Sequence, residues 1–186
     1  ELFLNAFFDQ LENQNIPYCI LRNYQTIPQQ IENDLDLLIN RKDMKKFRSC
    51  LTALAYTQKW LIIRITRRAG HSVFCLFDQQ TKTNLIIDQW SSFDYKGIKW
   101  ANEKNILARR KRHNNFYIPE KKDEIATLLL KDLLQNAAVR EKYHERITQH
   151  LNNTTQIEIK KILRYSIGNK LAQQIIPYAK NANWYN

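Results

Sequence analysis

The chain has 186 residues, 44% of them hydrophobic, with 29 Lys/Arg against 18 Asp/Glu for a net charge of +11. That length and apolar share fit one domain, or a small domain with an appendage, built on a real core. Its three glycines, Gly70, Gly97 and Gly168, are too far apart for a phosphate loop of the P-loop or dinucleotide type, and no apolar run nears the roughly 20 residues of a membrane-spanning helix.

In chain order, Leu2, Phe3, Ala6, Phe7 and Leu11 fall at helical spacing and predict an amphipathic helix over 2–14. Pro17 punctuates, Tyr18-Cys19-Ile20-Leu21 reads as a short strand, and a loop from Arg22 to Asn33 follows. Asp34–Ile39 is the next strand. Met44, Phe47, Leu51, Leu54 and Ala55 mark a helix over 42–56. Strands over 60–65 and 72–77 flank a turn at Arg67-Arg68-Ala69-Gly70, and a second turn over 78–83 leads to the strand Asn84–Trp90. The front half thus reads α-β-β-α-β-β-β, an α/β (α+β) arrangement with one mixed sheet and flanking helices. Further on, Gly97-Ile98-Lys99-Trp100 reads as a short strand, and the basic run Arg109–His113 as a solvated loop, with Phe116 and Tyr117 nearby offering a path for a nucleic-acid backbone. From Glu120 the pattern is helical: stripes at Ile125, Leu128, Leu129, Leu133 and over 139–151, a third helix over 157–167 capped by Thr154/Thr155, and a last one over 170–179 after Gly168. The expected organisation is an α/β domain over 1–98, a basic connector over 99–119 and a helical bundle or appendage over 120–186.

Charge and cysteines bound the setting. Residues 1–98 hold 12 Lys/Arg and 10 Asp/Glu, whereas 99–186 hold 17 and 8, so the back half carries the basic bias and suits an anionic partner. Cys19, Cys50 and Cys75 are odd in number, widely spaced and set in apolar segments; they read as buried free thiols of a reducing compartment, hence a cytoplasmic protein. Glu1, Asp9 and Glu12 break the pattern of a signal peptide, and Glu1 as a first residue points to a piece of a longer protein.

The stretch Asn33-Asp34-Leu35-Asp36-Leu37-Leu38-Ile39 carries the chemistry. Strand side chains alternate between faces, so Asp34 and Asp36 share one face while Leu35, Leu37 and Ile39 point into a core. Two neighbouring carboxylates repel, and a hard divalent cation with a taste for oxygen ligands removes that repulsion. The pair reads as half of a magnesium site. Asp88, near the end of the otherwise apolar strand Asn84–Trp90, is the candidate third ligand, because a lone carboxylate there is costly to bury unless something pairs with it. The plain alternative is a solvated strand edge. Arg64, Arg67 and Arg68 either line a groove or solubilise an edge, and His71 beside Gly70 reads as a solvated hairpin histidine rather than a site residue.

Leu21-Arg22-Asn23-Tyr24, Ile27-Pro28 and Asn33-Asp34-Leu35-Asp36-Leu37 resemble the nucleotidyltransferase superfamily of the DNA polymerase beta-like fold, in particular a bacterial group with an "LRNY…P…DLDLL" signature; the resemblance covers roughly residues 1–95. It implies Asp34, Asp36 and Asp88 as catalytic metal ligands for Mg2+ or Mn2+. It also implies Arg22 and Asn23 as nucleotide-binding residues at the position of the family's Gly-Ser turn, where Arg22 departs from the glycine. The implied activity is magnesium-dependent transfer of a nucleoside monophosphate from a nucleoside triphosphate such as ATP to an acceptor hydroxyl. The acceptor is left open among sugar, RNA and protein, with the basic charge favouring an anionic one. The alternative is a degenerate module of the same fold that binds nucleotide, RNA or a partner within a larger protein, and a third reading is an interaction scaffold with vestigial acids.

Overall fold

The computed structural model describes residues 2–31, 34–151 and 156–180, without the side chains of Ile98 and Lys180. Glu1, Asn33 of the acidic motif and the Thr154/Thr155 cap therefore lie outside the described residues. Contacts divide the chain into two units, Glu1–Ser92 with Glu103–Pro119, and Phe93–Asn102 with Glu120–Asn186.

The first unit is a five-stranded mixed sheet with its first two helices packed on one face. Helix α1 (Leu2–Asn13) buries Phe3, Leu4, Phe7, Phe8 and Leu11, the stripe that its spacing predicts. Strands β1 (Tyr18–Ile20) and β2 (Leu35–Ile39) pair antiparallel. Helix α2 (Met44–Thr57) follows a single 3-10 turn in which the Asn40 side chain accepts from the Lys42 N–H, and it buries Phe47, Cys50, Leu51, Leu54 and Ala55. Strands β3 (Trp60–Arg68), β4 (His71–Asp78) and β5 (Asn84–Trp90) complete the order β1-β2-β5-β4-β3. β3 and β4 run longer than their apolar residues predict: Arg67 pairs with Ser72 and Arg68 with His71, so the turn shrinks to Ala69-Gly70. Backbone pairing tolerates arginines where one face meets water, and the exposed Arg64, Arg67 and Arg68 lie on the edge strand, where charge deters pairing with another chain.

The main core lies between α1, α2 and one sheet face. Leu35, Leu37 and Ile39 of β2 are fully buried there with Leu85, Ile87, Phe74 and Leu76. Phe8 stacks on Tyr18 at 5.8 Å between ring centroids and meets Phe116 at 5.3 Å. The basic run is not a loop. Helix α3 (Glu103–Arg109) ends in it, and strand β8 (Lys111–His113) pairs antiparallel with β9 (Phe116–Ile118). Arg112 bonds both Glu12 carboxylate oxygens at 2.8 and 2.9 Å, and Arg110 and Arg112 both stack on Tyr117. These arginines serve intramolecular packing, which sequence alone hides because Glu12 lies 100 residues away. Burial, with the Glu12 carboxylate adding to it, drives the Tyr18 hydroxyl well above its ordinary value.

The second unit joins the hairpin β6 (Phe93–Tyr95) and β7 (Ile98–Ala101) to helices α4 (Lys121–Asn136), α5 (His144–Leu151), α6 (Gln156–Ile167) and α7 (Asn169–Lys180). Phe93 and Trp100 pack at 4.8 Å, and Ile125, Leu128, Leu129, Ile147, Leu151, Ile159 and Leu163 are buried. Asp132, fully buried in α4, accepts from the Arg140 guanidinium at 2.8 Å and from the Arg140 N–H at 3.0 Å. Leu133 of the predicted α4 stripe gives way to this buried acid. Gly168 separates α6 from α7 at a φ of +82°.

Burial, then the positive charges of Lys121 and Arg146, hold the His150 imidazole below its ordinary 6.5. The folded chain therefore takes up this proton less readily than the unfolded one, so the neutral ring's contribution is present above 6.5 and is lost as pH falls below it. The thermal midpoint is expected to drop more between about pH 7.5 and about pH 5.5 for the wild type than for His150→Gln. Equal drops would show that His150 titrates alike in both states. Among the described residues no helix is long and apolar enough to cross a membrane.

Candidate metal centre

The site follows from the register of two parallel strands. β2 and β5 pair parallel with Asp36 opposite Asp88, so both carboxylates leave the sheet on the face opposite α1 and α2. Asp34, just before β2, joins them by the two-residue alternation of extended chain. One carboxylate oxygen from each of Asp34, Asp36 and Asp88 lies within 4.8 Å of the other two, so the three could hold a metal ion. The strand Asn84–Trp90 lies directly beside Leu35–Ile39, which is what brings the candidate third ligand Asp88 to the other two acids.

Asp36 is 1% exposed and is held from two sides. Arg22, itself 7% exposed, donates from Nε to Asp36 Oδ2 at 2.6 Å and from Nη2 to Oδ1. Trp90 Nε1 donates to the same Oδ1 at 3.4 Å. The backbone fastens this corner as well, since the Leu21 N–H donates to the Asp36 carbonyl at 2.8 Å. Asp88 is partly buried and pairs through Oδ1 with His71 Nε2. The His71 and Trp90 rings pack at 4.3 Å between centroids, tilted by 37°.

Arg22 thus sits beside the acids, with its fork on a carboxylate. Asn23 takes a φ of +55°, in the left-handed region where Asn is among the best tolerated side chains. The left-handed residue of this turn is therefore one position after the one at which the resemblance expects a glycine. Two neighbours of the acids escaped the sequence reading. His71, weighed as a solvated hairpin residue, is paired with Asp88, and Trp90 reaches Asp36. The signal was present but faint: Trp90 is two residues beyond Asp88 and so shares its face, and the turn at Gly70 sets His71 opposite Trp90.

Gly70 anchors that turn. Its φ is +70°, its carbonyl accepts the Ser91 N–H at 2.8 Å, and a Cβ on it would stand 1.9 Å from Ser92 Oγ. Gly70→Ala is expected to cost about 1–2 kcal/mol, read as a lower urea midpoint, from left-handed strain with the Ser92 hydroxyl forced to turn away. An unchanged midpoint would show that the turn relaxes freely.

The donor set tests the fit to a cation. Three converging carboxylates are hard oxygen ligands of the kind that magnesium and manganese prefer, and none of Cys19, Cys50 and Cys75 is among them. None of the three is in a disulfide, and burial raises the Cys50 thiol above its ordinary value.

No family model matches the chain, and no curated protein matches it. Among solved structures it aligns with the antibiotic-resistance factor ANT(2'')-Ia at 10% identity, over 98% of this chain and 91% of the other, with a TM-score of 0.43. It aligns likewise with JHP933 from Helicobacter pylori at 10% identity, over 98% and 88%, with a TM-score of 0.48.

Proposed function

We propose that the chain is a metal-dependent nucleotidyltransferase, moving a nucleoside monophosphate from a nucleoside triphosphate to an acceptor hydroxyl. The convergence of Asp34, Asp36 and Asp88 on one sheet face carries this reading. The three would hold Mg2+ or Mn2+, which when bound neutralises phosphate charge and favours attack at phosphorus. Arg22 and Asn23, on the turn beside the acids, would bind phosphate oxygens, Arg22 through its fork and Asn23 through its amide. Asp88 would accept the proton of the acceptor hydroxyl, with His71 Nε2 against Oδ1 keeping the carboxylate oriented. The hydroxyl oxygen bonds to the α-phosphorus, the bond to the β-phosphate breaks, and pyrophosphate leaves. The resemblance of Leu21-Arg22-Asn23-Tyr24, Ile27-Pro28 and Asn33-Asp34-Leu35-Asp36-Leu37 to the superfamily supports the same reading. The acceptor classes remain sugar, RNA and protein, and the basic back half favours an anionic one. In this proposal the chain works in the cytoplasm.

A second reading has a specific observation behind it. Arg22 already neutralises Asp36 and His71 already pairs with Asp88, as in a module that keeps the fold and binds without transfer. The two readings separate in one assay. Nucleotide labelled at the α-phosphate is incubated with magnesium and a panel of sugar, RNA and protein acceptors, with Asp36→Asn as control. Label transferred by the wild type and not by the variant supports the enzyme; equal inertness of both across the panel supports the module.

A further inference from the structure

Arg22 and Asp36 pose a conflict that the proposed function leaves open. The same guanidinium assigned to phosphate occupies both oxygens of a proposed metal ligand. Both partners are buried, at 7% and 1% exposure, so neither contact is a casual surface pair. A guanidinium fork and a divalent cation compete for the same carboxylate: each satisfies its charge, and like charges held against one buried carboxylate repel.

Resting on the nucleotidyltransferase reading, we infer that Arg22 exchanges partners during binding, leaving Asp36 when the cation arrives and transferring its fork to the phosphate that comes with it. The chemistry of the two states is matched. Carboxylate and phosphate are the two planar or tetrahedral oxyanions that an arginine fork grips bidentately. The backbone of this corner is held independently of the fork, by the Leu21 N–H bond to the Asp36 carbonyl at 2.8 Å, so a change of partner at the guanidinium leaves that bond in place. His71 and Trp90 stay behind as the fixed wall of the site, packed on each other and bonded to Asp88 and Asp36. In the resting protein Arg22 supplies the positive charge that Asp36 needs, which removes the cost of a buried lone carboxylate.

The exchange makes one substitution act on two affinities in opposite directions. Mn2+ binding is read from the free-ion electron paramagnetic resonance signal, and nucleotide binding from the anisotropy of a fluorescent ATP analogue, with and without Mn2+. Arg22→Met removes the competitor at Asp36, so Mn2+ alone is expected to bind about tenfold tighter than to the wild type. It also removes the phosphate grip, so the analogue is expected to bind about tenfold weaker in the presence of Mn2+. Addition of Mn2+ should raise the thermal midpoint of Arg22→Met more than that of the wild type, because the cation then replaces the lost partner of Asp36. A residue serving structure alone would weaken both ligands, and a plain phosphate ligand would weaken the nucleotide and leave Mn2+ unchanged; either pattern overturns the exchange. Arg22→Gln loses the charge and keeps a polar side chain of similar length, so it carries the same test where Arg22→Met fails to fold: tighter Mn2+ and weaker nucleotide than the wild type support the exchange, and unchanged Mn2+ overturns it. Mn2+ binding that is equal in all three proteins and lost in Asp34→Asn/Asp36→Asn keeps the metal centre and removes the exchange. No Mn2+ binding in any of them removes the nucleotidyltransferase reading itself, and the exchange with it.

Discussion

Asp36→Ala is expected to cost about 3–5 kcal/mol of stability, the range for breaking a buried ion pair by deleting one partner. Arg22, at 7% exposure, would keep its charge and lose the carboxylate that takes both its Nε and Nη2 protons. The Trp90 indole N–H would lose its acceptor as well. Most of the loss should be recovered in the double variant Arg22→Met/Asp36→Leu, in which no charge remains to be compensated and the space is filled by apolar side chains of similar size. Urea unfolding of the two variants and the wild type, followed by circular dichroism, measures both steps. A single variant as stable as the wild type would mean that Arg22 reaches water unaided; a double variant no better than the single one would mean that shape, rather than charge, sets the cost. For this corner the ion pair then serves function, since an apolar replacement holds the fold as well.

Asp88→Asn is expected to lower nucleotidyl transfer by roughly a hundred- to ten-thousandfold, the span associated with a positioned proton acceptor. Asn is close to isosteric and still accepts a hydrogen bond, so His71 and the β2–β5 register keep their places. What it loses is the negative charge and the ability to take a proton. Rates of pyrophosphate release at saturating nucleotide, beside Mn2+ affinity, divide the two roles proposed for this carboxylate. A loss of rate much larger than the loss of Mn2+ affinity assigns the proton to Asp88; proportional losses assign it to the cation alone.

Much of the fold and of the acid cluster was legible in the sequence because it rests on local periodicity. Phe3, Phe7 and Leu11 repeat at helical spacing and are the buried face of α1, and Leu35, Leu37 and Ile39 alternate with Asp36 and are buried in the core. Patterns of this kind need no partner to be recognised. The lengths of β3 and β4 were less legible, because ladder pairing extends through arginines that meet solvent and carry no apolar signal. The basic run at Arg109–His113 read as solvated, since nothing in its own composition points to Glu12 or Tyr117.

By itself, then, the sequence determined the alternation that sets Asp34 and Asp36 on one face, the apolar strand that carries Asp88 near its end, and the loop that begins at Arg22 and Asn23. The tertiary structure alone decided what each of these groups touches. Parallel pairing of β2 with β5 set Asp36 opposite Asp88 across 52 positions of chain. Antiparallel pairing of β1 with β2 brought the Arg22 fork to Asp36, and antiparallel pairing of β4 with β5 brought His71 to Trp90 and Asp88. Spacing along a strand records direction, and charge neutralisation in a buried site depends on distances between segments that only packing brings together.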